Sequence, residues 1–162
     1  SDLPRSFTAN LATQIFENRL IDRFRIAEGA SYAPQGHLDL SDEVPGYGYA
    51  YFSVETEPAK VPRFYALVDE IANDLWSHDV SPDELARARE PIVETLKHRQ
   101  QSNEYWIAYL HHAQTDSRRL DRIRDSLSGY GKVTAGDIRA FATAYLSPEK
   151  FWKFEVLPAT VR

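Results

Sequence analysis

The chain of 162 residues contains no cysteine and no methionine. Without cysteine there can be no disulfide, no thiolate nucleophile and no cysteine-held zinc, although this sets no compartment. The first residue is Ser1 rather than methionine. The expectation is a chain excised from a longer protein, so that any targeting segment could lie outside it. No signal-peptide pattern is visible, and no apolar run approaches the roughly 18 residues of a membrane span. A surplus of positive charge is also missing. The net charge is −5 and the pI about 5.5, with Lys and Arg dispersed among Asp and Glu, which argues against a nucleic-acid surface. Finally, neither H-x-x-E-H nor H-E-x-x-H occurs. None of His37, His78, His98, His111 and His112 has a glutamate placed to complete a zinc pattern, so no metal site is expected in this chain.

What is present suits a folded domain. Hydrophobic residues make up 43%, and a chain of this length can bury about 68–70% of its unfolded surface. Residues 6–26 carry Ala9, Ala12, Phe16, Leu20 and Phe24 at helical spacing and predict a helix stopped by Gly29. A second helix is predicted over 59–78, with Val61, Phe64, Val68, Ile71 and Leu75 as its stripe. "SPDE" at 81–84 begins a third, with Ser81 as cap, Pro82 at the first turn and Glu84 returning a bond. It should run to about 101, kinked or split at Pro91. Further helices are expected at 102–114, capped by Ser102, at 117–127, and from "TAGD" (134–137) to about Leu146. The pattern of "YWIAYLHH" (105–112) suits a core helix.

Strands are expected at 30–40, 47–57 and 151–157, the first two joined as a hairpin through "SDEVPG". The order predicts an α+β fold: a two-layer sandwich of a mainly antiparallel sheet covered on one face by helices. With no repeat, low-complexity tract or linker, residues 1–162 read as a single domain. Three strands are few for so many helices, and the sheet is expected to lack a strand or two upstream of Ser1.

The stretch "RFRIAEGASYAPQ" (23–35) places Arg25 seven residues before Tyr32, where a helix hands over to a strand. In its wider setting, "NRLIDRFRIAEGASYAPQ", it resembles the helix-to-strand junction in the carboxyl-side domains of the pitrilysin/insulinase family of inverted-zincin metallopeptidases. "FSVETEPAKVPRFYALVDEIANDL", "VSPDELARAREPIVETL" and "VTAGDIRAFATAYLSPEKFWKFEVLP" resemble later parts of the same domain, in the same order. The resemblance covers nearly the whole chain. It implies a duplicated domain in which one copy holds zinc through H-x-x-E-H and another faces it across a closed chamber. On that reading this chain is the non-zinc copy, with no activity alone. Zinc would be bound by a half not present here, in the same polypeptide or a partner subunit. Attack of zinc-activated water on a peptide carbonyl creates an oxyanion. Tyr32 would donate to that oxyanion and Arg25 would position the peptide or the tyrosine. Bacterial relatives of this kind are often exported, which leans the expectation toward the periplasm.

Taken without the resemblance, the same residues have plainer uses. Arg25 complements a helix C-terminus, and Tyr32 is a strand aromatic. Tyr47, Tyr49 and Tyr51 share one strand face, where they either line a substrate groove or cover the sheet beneath its helices. His111 and His112 are adjacent on a helix and point about 100° apart, so they share no metal easily. Glu94 and His98 read as an ordinary i, i+4 pair. Asp39, Asp42 and Glu43 read as a solvated loop. Two other functional classes stay open: a catalytically inactive scaffold or assembly subunit of the same fold, and a free-standing peptide-binding module. The partners implied are a peptide and a zinc-binding half, with neither nucleic acid nor membrane.

Overall fold

The structure is a computed structural model that describes residues 3–26, 33–41, 44, 47–111, 113–114, 116 and 118–157. Its elements run α1 (Leu3–Leu20), a π-helical stretch (Ile21–Ile26), β1 (Gln35–Leu40), β2 (Gly48–Ser53), α2 (Val61–Ser77), α3 (Pro82–Arg99), α4 (Asn103–Leu110), α5 (Arg118–Lys132) and α6 (Ala135–Tyr145). The α+β class expected from the element order is the one observed.

The first helix forms the centre of the domain. Phe7, Ala9, Leu11, Ala12, Ile15, Phe16 and Leu20 are all buried. These positions exceed one helical stripe, as in a helix surrounded by protein. One side of α1 meets the β1–β2 hairpin, where Phe16 stacks on Phe52 with ring centroids 4.2 Å apart. Its other sides pack on α2, α3, α5 and α6. Helix α2 adds Phe64, Leu67, Val68, Ile71, Ala72 and Leu75 to the same core. The hairpin is antiparallel, pairing Gln35 with Ser53, Leu38 with Ala50 and Leu40 with Gly48. Alternation turns Leu38, Ala50 and Phe52 toward the helices and His37, Tyr49 and Tyr51 away from them. Gly48 is required by this register, because a Cβ there would stand 2.8 Å from the Asp39 carbonyl oxygen.

Caps work largely as the residue types predict. Ser81 accepts from the Glu84 amide at 3.1 Å, and Ser102 accepts from the Tyr105 amide at 3.2 Å. Thr134 and Asp137 form a complete capping box at α6. The Glu84 side chain departs from expectation. Rather than returning to its cap, it pairs with Arg19 of α1, accepting from Nε at 2.6 Å and from Nη2 at 2.9 Å.

Four other expectations are corrected. Helix α3 passes through Pro91 without splitting. Pro91 and Arg87 both lie on the exposed side, where water can take the carbonyl that proline leaves unpaired. Helix α5 is longer than the predicted 117–127. Helix α4 stops at Leu110 and is no core helix: Tyr105 is buried, while Ile107 is 72% exposed. Lastly, residues 151–157 form no strand ladder, and the described sheet has two strands. The pattern "FWKFEVL" suits a strand, but a strand needs a neighbouring strand, and no strand among the described residues pairs with it.

Candidate functional site

The junction after α1 is built on buried anchors. Phe24 is fully buried and meets Phe64 edge-on at 5.4 Å. Arg25 follows it within the π-helical stretch Ile21–Ile26. Such wider turns break the regular helix ladder and occur often at functional sites. Pro34, just before β1, is also fully buried. Phe24 and Pro34 thus hold the two ends of the segment that carries Arg25 and Tyr32. The Arg25 side chain and the whole of Tyr32 lie outside the described residues, as do Glu28, Gly29, Asp42, Glu43 and His112.

The three tyrosines of the second strand region stand on the sheet face turned away from the helices. Tyr47, Tyr49 and Tyr51 are 61%, 49% and 50% exposed, so they do not cover the sheet beneath its helices. Tyr49 stacks on Tyr51 at 6.5 Å, and Tyr51 lies 5.0 Å from the His37 ring. The Tyr49 hydroxyl donates to Asp39 at 3.4 Å. The negative charge of Asp39, with lesser contributions from desolvation and this hydrogen bond, raises the Tyr49 pKa above that of an ordinary phenol. Tyr49 therefore acts as a neutral hydrogen-bonding group at neutral pH.

Beside this face runs a cleft of about 1690 Å³ between β2 and residues 151–157. Its buried floor includes Ala9, Ala12, Phe64, Val68 and Leu146. The far wall is tacked to α2 at two points. The Tyr65 hydroxyl donates to the Phe154 carbonyl at 2.7 Å, and Lys153 meets Asp69 at 2.8 Å. Neither the cleft nor the Arg19 cluster was foreseen in the sequence. Arg19 lies 55 and 65 residues from its partners Asp74 and Glu84, so no local pattern announces it.

Among the described residues, no group of three or more His, Asp or Glu side chains could hold a metal ion. His37 lies on the outer sheet face, His78 pairs with Asp74 at the end of α2 (3.1 Å), and His98 is in the last turn of α3. These donors are too scattered to fit a zinc ion. Nor is any helix of the described residues long and apolar enough to cross a membrane.

An α+β domain with no metal-holding cluster among its described residues, buried anchors on either side of its helix-to-strand junction, and a sheet edge unpaired among those residues is thus the class of protein the fold defines. Comparison with known proteins makes this specific. Residues 1–92 match the family described as the peptidase M16 inactive domain. The chain belongs to the peptidase M16 family, the zinc-dependent metallopeptidases to which the sequence resemblance pointed. It is similar to the chloroplastic stromal processing peptidases of Arabidopsis thaliana (28% identical over 134 residues, 81% of this chain) and Pisum sativum (29% over 133 residues, 80%). That of Oryza sativa subsp. indica is 25% identical over 134 residues. The chain spans only about a tenth of the length of these curated relatives, 10–11%. No solved structure gives a significant match.

Proposed function

We propose that this domain is the non-zinc half of a metalloendopeptidase, lining a chamber in which a peptide is held and cut. The metal centre belongs to another part of the same polypeptide or to a partner subunit. The observation that carries this reading is the family match over residues 1–92, which includes both Arg25 and Tyr32. The names of the relatives, processing peptidases, agree with a peptide substrate.

The chemistry assigned to this chain is electrostatic. As a peptide carbonyl is attacked, its oxygen becomes an oxyanion, and the Tyr32 hydroxyl donates a hydrogen bond to it. Arg25 holds neighbouring peptide carbonyls or the tyrosine itself through its planar fork of donors. The exposed phenols of Tyr47, Tyr49 and Tyr51 offer contact area with a polar tip to passing peptide.

The test is steady-state kinetics on the intact enzyme. Tyr32→Phe removes one donor and should lower kcat by about 10²–10³ with little change in KM. Arg25→Ala should lower kcat/KM. If both variants keep wild-type kcat/KM, the pair is structural and the domain serves as a scaffold.

A further inference from the structure

Negative charge is spread unevenly along the chain. Residues 26–59 contain six acidic residues and none of the 19 lysine and arginine residues, a net charge of −6 where the whole chain carries −5. The β1–β2 hairpin lies within this stretch. On its outer face the cross-strand pairs are Gln35 with Ser53, His37 with Tyr51 and Asp39 with Tyr49. The alternation runs on past β2, where Val54 packs on the core and Glu55 is exposed. Two stacked phenols therefore lie between Asp39 at one end and Glu55 at the other. Among the described residues neither carboxylate meets a lysine or arginine, and Asp39 accepts only from the Tyr49 hydroxyl. Elsewhere in the domain many acidic side chains have such partners, as Glu70 has Arg63, Asp79 has Arg139 and Asp69 has Lys153.

We infer that this face is a specificity subsite for a lysine or arginine side chain of the peptide, with Asp39 receiving the cation and Tyr49 and Tyr51 carrying its stem. The inference rests on the peptide reading above and adds the charge that the peptide must present there. The two rings are nearly parallel, with 19° between their planes and 6.5 Å between their centroids. A long cationic side chain laid across them covers the rings with its methylenes. Its head then reaches Asp39, whose carboxylate already touches the tip of Tyr49. Aromatic faces are themselves electronegative and attract a cation. A guanidinium gains most, since it stacks flat on a ring and offers two parallel donors to a carboxylate.

Charge decides among the possible occupants. An acidic segment is repelled by the uncompensated carboxylates. A metal ion lacks ligands, because no group of three His, Asp or Glu side chains gathers among the described residues. An uncharged peptide could use the phenols but would leave the carboxylates repelling one another, a cost that a cationic side chain relieves. The position in the peptide follows from chain length. Asp39 stands seven residues after Tyr32, and seven residues reach at most about 25 Å. With Tyr32 at the reacting carbonyl, the cationic residue lies within about seven residues of the bond that is cut.

The experiment is equilibrium binding of fluorescent peptides to the full-length protein, with zinc chelated so that nothing is cut. The peptides are uncharged except at one position, moved along the series, that carries Arg, Lys, Gln or Glu. An exposed ion pair and an exposed cation–π contact are each worth a few-fold in affinity. At one position Arg or Lys should therefore bind about tenfold tighter than Gln. That ratio should fall to about two or less in Asp39→Asn, return in Asp39→Glu, survive Tyr49→Phe and shrink in Tyr49→Leu. A ratio near one at every position overturns the inference, as does a ratio that Asp39→Asn leaves intact or a Glu peptide that binds as well as the Arg peptide. Kinetics keeps this apart from the reading it rests on. If Tyr32→Phe and Arg25→Ala keep wild-type kcat/KM while the ratio still depends on Asp39, the oxyanion role fails and the subsite stands. If those variants lose activity while the ratio ignores Asp39, the subsite fails alone. A protein that binds no peptide of the series overturns both.

Discussion

Replacing Arg19 with methionine tests what ties α1 to the helical layer. The guanidinium is only 13% exposed and gives two bonds to Glu84 and one to Asp74, at 2.7 Å. Burial by itself disfavours the charged form. The hydrogen bonds and charges of Glu84 and Asp74 outweigh that cost and hold the pKa above the ordinary arginine value. A raised folded pKa means that the stabilisation is fully present below the unfolded value, so it does not vary with pH across the neutral range on arginine's account. In Arg19→Met the stem keeps its packing while Glu84, 18% exposed, loses its partner. Breaking a fully buried pair costs about 3–5 kcal/mol. Here Asp74 is 39% exposed and also meets His78, so water recovers part of its loss. The expected cost is about 2–3 kcal/mol, mostly from Glu84. At this chain length that lowers Tm by about 4–12 °C. The assay is urea unfolding of Arg19→Met, Glu84→Gln and the double variant. The coupling energy between the two sites should reach about 1–3 kcal/mol. A single-variant cost below about 1 kcal/mol with coupling near zero would refute the reasoning and make this an ordinary surface pair.

Two further substitutions probe the helices. In Gly129→Ala the added Cβ would stand 2.1 Å from the Phe7 ring, which is itself packed against Tyr130 at 4.9 Å. A loss of about 1–3 kcal/mol from overpacking should therefore outweigh alanine's better helix propensity of about 1 kcal/mol, as read by denaturant midpoint. Thr134→Ala removes the α6 cap and should cost about 1 kcal/mol. The Thr134 backbone amide, and then its side chain, hold the Asp137 carboxylate below its usual pKa. A depressed folded pKa gives stability that is complete above about pH 4 and lost as pH falls through the lowered folded value. The acid limb of a stability–pH profile should accordingly be shallower in Thr134→Ala.

Local chemistry made several elements legible. The spacing of Phe16, Leu20 and Phe24 marks the first helix, although the chain past Leu20 widens into a π-helical stretch that no local pattern announces. Ser81, Ser102 and Thr134 mark three helix starts, because a side-chain oxygen can satisfy the amide three residues on without help from the rest of the fold. The alternation around Tyr49 and Tyr51 is a local period of two, and it placed the three phenols together on one strand face. It could not say which face, since that depends on where the helices pack.

The junction residues Arg25 and Tyr32 were legible by resemblance, through the motif that surrounds them. Their burial anchors were not, because Phe24 meets Phe64 across 40 positions of chain. Pro91 shows the limit of a local rule. Proline removes a hydrogen bond anywhere in a helix, but whether the helix breaks depends on whether the orphaned carbonyl faces water. Glu84 shows another. Its place in a capping pattern is local, yet its carboxylate went to Arg19, because a guanidinium with two parallel donors outbids a single amide. The period, the caps and the charge are properties of the sequence by itself. The path of α3, the exposure of α4, the Arg19 cluster and the open edge beside β2 were decided by tertiary structure, because each depends on what a distant segment brings, or fails to bring, within bonding distance.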